Sequence, residues 1–243
     1  NKYVLLMDGD NIYLNGEGHS PKGQFPFINQ FNLKTKQTKE IYRSKVTDKV
    51  EKILDIIDIK KGELLIMLEG PTDYPNYYVR NIKGRMAPRA ITHLKNPFAA
   101  MDGVYKEVIK YKREDGVDLS GTLYLPANYD RKSGEKLPMV MWAYPQEFKD
   151  KATAGQSTKN PNEFIYPYYG SPIYWVMKGY AVLDDAAFPI VGEGDEEPNN
   201  TFIEQLVGSA KAAIDAIDRL GYIDRNKVAV GGHSYGAFMT ANL

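Results

Sequence analysis

In the five residues Gly232-His233-Ser234-Tyr235-Gly236 a serine stands with a glycine two places to either side, between the runs Val228-Ala229-Val230-Gly231 and Ala237-Phe238-Met239-Thr240. That order of residue types reads as a strand, a sharp turn and a helix. Such a turn holds the serine in a strained backbone conformation, and the glycines leave room for strand and helix to close on each other. The chemistry on offer is nucleophilic. The Ser234 hydroxyl is lifted into the open, and the helix start aims the Tyr235 N–H at the spot where an attacked carbonyl oxygen gains negative charge. A bare pattern of this kind recurs by chance, so the flanking elements carry the argument. His233 lies beside the serine inside the turn, where its ring cannot reach round to act as base, and it is expected to pack or to orient the loop.

Behind the turn, strands and helices alternate. Lys106–Lys112 and Leu119–Leu125 read as a hairpin across Asp115-Gly116, and Pro138–Ala143 as a compact apolar strand. Pro172–Lys178 reads as a short helix ended by Gly179, and Tyr180–Asp184 as the next strand. The strongest helical pattern follows. Thr201 and Glu204 are spaced as a capping box, and Ile203, Leu206, Val207, Ala210, Ala213, Ile214, Ile217 and Leu220 recur at helical spacing up to Gly221. Lys227–Gly231 is the strand that feeds the turn, and Tyr235 opens the next helix. This succession specifies an α/β domain of the α/β-hydrolase type, a mostly parallel sheet begun by an antiparallel hairpin and covered by helices.

Residues 1–95 differ in texture and fall into two similar units of short strands. The first reads Tyr3–Met7, Asn11–Leu14, Phe27–Asn32 and Glu40–Ser44, with turns at Gly9-Asp10 and around Lys34–Thr38. The second reads Ile53–Asp58, Glu63–Leu68, Tyr77–Asn81 and Arg89–His93, with turns at Lys61-Gly62 and Lys83-Gly84. Four strands per unit, at this spacing, predict the last blades of a β-propeller, with an eight-stranded sandwich as the alternative. Two blades cannot close a ring, so further blades are expected before Asn1. A linker around Asn96–Gly103 separates 1–95 from 96–243.

Composition narrows the function classes. Lysine and arginine together number 31, as do aspartate and glutamate, so no net field gathers nucleic acid or anionic lipid. No apolar stretch has the length to span a bilayer, no targeting address is legible, and the compartment is left open. The absence of cysteine removes disulfides and thiolate metal sites.

The stretch GGHSYGAFMTANL, with WAYPQEF and PIVGEGDEEPNNTFIEQLV before it, resembles the prolyl oligopeptidase family of serine peptidases, and within it the branch that includes glutamyl endopeptidases. The resemblance is most specific over 138–243. It implies an N-terminal propeller that admits short or unfolded peptides to a C-terminal hydrolase domain. It also implies that Tyr144, at the end of a strand, donates its hydroxyl to the oxyanion beside the Tyr235 N–H. From the residues alone Tyr144 is a strand-end packing aromatic.

In α/β-hydrolases the acid and the histidine follow the serine, yet only nine residues follow Ser234 here, none of them Asp, Glu or His. His19 and His93 belong to the β-rich part. The expectation is therefore a truncated chain, the front part of a hydrolase domain, nearly inert alone because Ser234 lacks a base. Glu193, in the acidic loop Gly192–Pro198, is a candidate for binding charged substrate groups. Acids just before a helix also complement its dipole. Tyr166, Tyr168, Tyr169 and Trp175 are better read as packing than as a pocket wall.

The function expected is peptide hydrolysis through an acyl-enzyme on Ser234, with no metal or organic cofactor implied and neither nucleic acid nor membrane as partner. An esterase on the same fold, or a propeller-based binding protein with an inactive hydrolase domain, are the alternatives. An unfinished sheet is expected to expose an edge and apolar surface, favouring association with the missing C-terminal portion or with a second copy.

Overall fold

Over Glu63–Glu69 alternate residues point to opposite faces of a strand, and Leu64 and Ile66 are accordingly both fully buried. The computed structural model describes residues 6–84 and 86–243, divided into two units: the chain up to Pro97 with Asn162–Phe164, and Phe98–Pro161 with Ile165–Leu243.

The first unit holds two four-stranded antiparallel sheets. One has the order β1 (Met7–Asp8), β2 (Asn11–Gly16), β5 (Phe27–Asn32), β6 (Thr38–Arg43), with a small hairpin of β3 (His19–Ser20) and β4 (Gly23–Gln24) inserted after β2. The other has the order β10 (Arg89–Ala90), β9 (Asn76–Asn81), β8 (Glu63–Glu69), β7 (Val50–Asp58). Ile28, Leu64 and Ile66 form its core. Within this core the buried Glu51 accepts hydrogen bonds from the Tyr42 hydroxyl and, at 2.5 Å, from Arg80 Nη2.

Most of the strands fall where the pattern puts them. The strand expected at Tyr3–Met7 lies mostly outside the described residues, and the β3–β4 hairpin was not foreseen. Expected over Arg89–His93, the last strand keeps only two residues. The Tyr77 N–H bonds the side-chain oxygen of Thr92 at 2.9 Å, so a hydroxyl replaces the ladder there.

The second unit is built on one five-stranded sheet of order β11 (Tyr105–Lys112), β12 (Asp118–Leu125), β15 (Ala181–Ala186), β13 (Leu137–Ala143), β17 (Ile223–Gly231). β12 runs antiparallel to both β11 and β15, whereas β13 lies parallel to β15 and to β17. Pleating sends Leu123, Met139, Met141 and Leu183 into a core closed by Leu206 and Ile217 of α2 (Phe202–Arg219) and Met239 of α3 (Tyr235–Asn242). Tyr124 and Val182 enter a second cluster with Ile173 and Val176 of the 3-10 helix Pro172–Lys178. Burial on both faces is what the apolar centres of these strands require. A short parallel pair, β14 (Gln146–Phe148) with β16 (Pro189–Val191), extends from the strand ends, and α1 (Lys151–Ala154) follows β14.

Two helix expectations are corrected. The buried stripe of α2 is Phe202, Leu206, Ser209, Ala213, Ala216 and Ile217, while Ile203 and Val207 are exposed. The capping box does not form, since Thr201 makes no side-chain cap and its hydroxyl accepts from Gln205 Nε2 at 2.9 Å. Both departures have one cause. The 3-10 turn Pro198–Thr201 runs directly into the helix, turning Phe202 inward and bringing Gln205 against Val191, with which it exchanges two bonds of 2.8 and 3.0 Å.

Arg113, 4% exposed, fixes α2 to the sheet. Its five N–H groups reach Asp115 twice (2.9 Å each), the Pro189 carbonyl (2.8 Å), Ser209 Oγ (3.1 Å) and Gln205 Oε1 (3.0 Å). Gly208 makes room, for a Cβ there would lie 3.3 Å from Arg113 Cδ.

Candidate active site

β17 ends at Gly231 and α3 begins at Tyr235, leaving three residues to reverse the chain. Ser234 takes the strain, with φ 55° and ψ −114°, a region a side chain rarely adopts. The neighbouring strand sets that turn. A Cβ on Gly232 would lie 2.5 Å from the Ala143 carbonyl oxygen, and one on Gly236 2.3 Å from the same atom. One carbonyl is thus gripped between the two glycines, and any larger residue at either position would force β13 and the turn apart.

Downstream, Gly236 N–H bonds the His233 carbonyl at 2.8 Å and Ala237 N–H the Ser234 carbonyl at 2.9 Å. The Tyr235 N–H, first in the helix, has no acceptor four residues back within it. Ser234 and His233 are both exposed. No side-chain cap bond involves the serine. The ring of Tyr144, 49% exposed just past the end of β13, stands edge-on to that of Tyr235 at 6.1 Å.

A cavity of about 760 Å³ opens beside the turn, bounded among others by Tyr144, Tyr168, Tyr169, Asp184, Asp185 and His233. A second, of about 240 Å³, shares Tyr144 and Asp185 and is lined by polar groups including Gln146, Gln156 and Lys159. Tyr168 and Tyr169, read as packing residues, are therefore cavity wall. Tyr166 and Trp175 instead sit edge-on to Phe98 (5.2 Å) and Tyr180 (5.4 Å).

The sequence reading passed over Asp184 and Asp185. Their signal was available: tandem carboxylates at the C-terminal end of a strand with a parallel neighbour, where such sheets take up ligands. Asp185 adopts φ 48° and pairs with Lys159. Glu193 is set apart from both cavities' linings, 3.7 Å from Lys151, and Glu197 pairs with Lys149 at 3.1 Å.

Burial drives the Asp184 carboxyl up from 3.8 to about 6, with the Asp185 charge adding to the rise and the Asp185 N–H and Lys159 opposing it. A carboxyl raised in the folded state costs nothing below its unfolded value and most above its folded one, so stability is lost as the pH rises from 3.8 to about 6. Asp184→Asn keeps an oxygen for the Asp185 N–H, which bonds Oδ1 at 2.9 Å. Urea unfolding is expected to show this variant more stable than the parent by about 3 kcal/mol near pH 8 and by less than about 1 kcal/mol near pH 4. Equal offsets at both pH values would contradict the assigned cause.

A family model described as X-Pro dipeptidyl-peptidase (S15 family) matches residues 115–243. The Arabidopsis thaliana protein named probable glutamyl endopeptidase, chloroplastic, is 41% identical over 244 aligned positions, gaps included, in an alignment that covers 97% of this chain and 25% of that protein. A protein of the same name from Oryza sativa subsp. japonica is 41% identical over 240 aligned positions, in an alignment that covers 96% of this chain and 26% of that protein. The chain thus spans about a quarter of the length of the curated relatives it matches. Among solved structures, a putative dipeptidyl aminopeptidase IV from Bacteroides ovatus is similar with a TM-score of 0.62 at 18% identity, over 95% of this chain and 31% of that one, a likeness in fold.

Proposed function

The chain belongs to the X-Pro dipeptidyl-peptidase (S15) family, serine peptidases of the prolyl oligopeptidase type, and from that premise we propose that the whole protein hydrolyses peptide bonds through an acyl-enzyme on Ser234. The supporting observation is the strained Ser234 turn, with Gly232 and Gly236 pressed against one carbonyl of β13. In this reading Ser234 Oγ attacks the peptide carbonyl carbon and gives its proton to a histidine base. The Tyr235 N–H and the Tyr144 O–H receive the negative oxygen. The amine leaves carrying that proton, and water then cleaves the ester to free the acid and restore the serine.

The histidine and its acid are proposed to come from outside these 243 residues, since neither side chain bonds Ser234 among the described ones. The two four-stranded meanders of the first unit are proposed as propeller blades, supported by four antiparallel strands in each sheet. Cleavage beside glutamate is the proposed preference, carried over from the names of the plant relatives. Glu193, held near Lys151, enters only as an outlying charge that bears on selectivity. β17 pairs with β13 alone in its sheet, and Val207 and Phe238 are exposed. A complementary part of the longer protein is the proposed neighbour for that side, with a second copy the other occupant.

A serine-directed phosphonate tests the nucleophile. The whole protein is expected to label at Ser234 at least about a hundred times faster than the 243-residue chain, because a serine without a base stays protonated. Equal rates would overturn the proposal. Turnover of matched peptide and ester substrates separates a peptidase from an esterase.

A further inference from the structure

The residue after the nucleophile is anchored through its side chain. Its N–H opens α3, while its hydroxyl, at the far end of the ring, donates to Glu147 Oε1 at 3.1 Å and lies 3.2 Å from Asn199 Oδ1. Asn199 Nδ2 in turn donates to the same Glu147 oxygen at 3.0 Å, closing a triangle of three side chains. The Tyr235 ring is stacked on Phe202 at 5.6 Å, with 13° between the planes. This ring is therefore packed against Phe202 along one face and held by hydrogen bonds at its tip. Burial and the Glu147 carboxylate both raise the Tyr235 pKa, which keeps the hydroxyl a donor.

Each corner of the triangle stands on a different element. Glu147 is the middle residue of β14, paired with Ile190 of β16, and β16 is tied to α2 through Gln205. Asn199 sits in the 3-10 turn that leads into α2, and Tyr235 starts α3. Glu147 also lies three residues after Tyr144 on one short segment. Of the two residues that carry candidate oxyanion donors, Tyr144 thus shares a short segment with Glu147, and Tyr235 is hydrogen-bonded to Glu147 through its ring hydroxyl.

We propose that Glu147 is a positioning residue that, with Asn199 as second acceptor, fixes the separation and aim of the two oxyanion donors by holding Tyr235 by its hydroxyl. The proposal rests on the peptidase reading above. Its physical basis is that such donors act only when set in advance at the position the oxyanion will occupy, so a shift of about 1 Å costs on the order of a hundredfold in rate. Glu147 touches no reacting atom. Its removal must therefore appear in kcat and spare KM, because ground-state binding of the peptide does not use the hole.

The test uses the whole protein and a peptide it turns over. Glu147→Ala and Tyr235→Phe are each expected to lower kcat about 30–100-fold with KM within about threefold, and the double variant is expected to be no slower than the worse single one. Glu147→Gln keeps an acceptor oxygen and is expected to stay within about threefold of the parent. Tyr235→Phe retains the stacked ring, so it reports on the hydroxyl even where Glu147→Ala fails to fold. The proposal is overturned when Tyr235→Phe leaves kcat within threefold, when the two single effects multiply, or when KM rises in step with kcat loss. A parent protein that turns over no peptide refutes the peptidase reading instead, and phosphonate labelling of Ser234 in the same samples tells the two failures apart.

Discussion

Ser234→Ala in the whole protein is expected to reduce kcat on peptides by at least about 10⁴-fold while leaving KM within about threefold. Alanine removes the attacking oxygen and nothing else. It does not alter the neighbouring N–H of Tyr235 or the wall formed by Tyr144 and Tyr168, so peptide binding and polarisation of the carbonyl are expected to persist on the proposed reading. A small residual rate from water attack is what such a site retains. The same substitution relieves no more than part of the turn's strain, because alanine also disfavours φ 55°. A loss below tenfold, or one shared equally between kcat and KM, would place the chemistry elsewhere.

Arg113→Met is expected to lower the stability of the second unit by about 3–5 kcal/mol, seen as a drop in urea midpoint with an unchanged slope. Methionine fills much of the same space yet supplies none of the five donors, stranding Ser209, which is fully buried, and the Pro189 carbonyl. Lysine does not rescue the change. Its point charge carries three donors on a flexible stem and cannot reproduce the flat fork that meets Asp115 in two parallel bonds of 2.9 Å. A midpoint that hardly moves would show that α2 is held by its apolar face alone.

The strand-turn-helix at Ser234 was legible because its requirements are local: an apolar run, glycines at fixed offsets, and a helix start. The same holds for the hairpin over β11 and β12 and for Gly179, whose φ of 82° ends the 3-10 helix. What stayed hidden depends on neighbours distant in sequence. Tyr168 is a cavity wall only because Trp142, Asp184 and Gly232 arrive beside it from three other segments. Likewise, Ile203 and Val207 match a buried stripe by spacing, but the turn at Pro198–Thr201 rotates the helix so that Phe202 takes the inward place. Thr201 shows the limit of a short motif. Spacing to Glu204 satisfies the pattern, while Gln205, on its own line to Val191, takes the hydroxyl.

The Ala143 carbonyl lodged between Gly232 and Gly236 bears on when Ser234 can become reactive. Until β13 has docked beside β17, nothing compels the left-handed backbone at residue 234, and an unstrained serine on a wandering segment is an ordinary alcohol. On the proposed reading, reactivity is therefore expected only late in assembly. A half-made or partly unfolded molecule is, on that reading, expected to carry no working nucleophile, so that the packing of β13 against the turn acts as a safety catch.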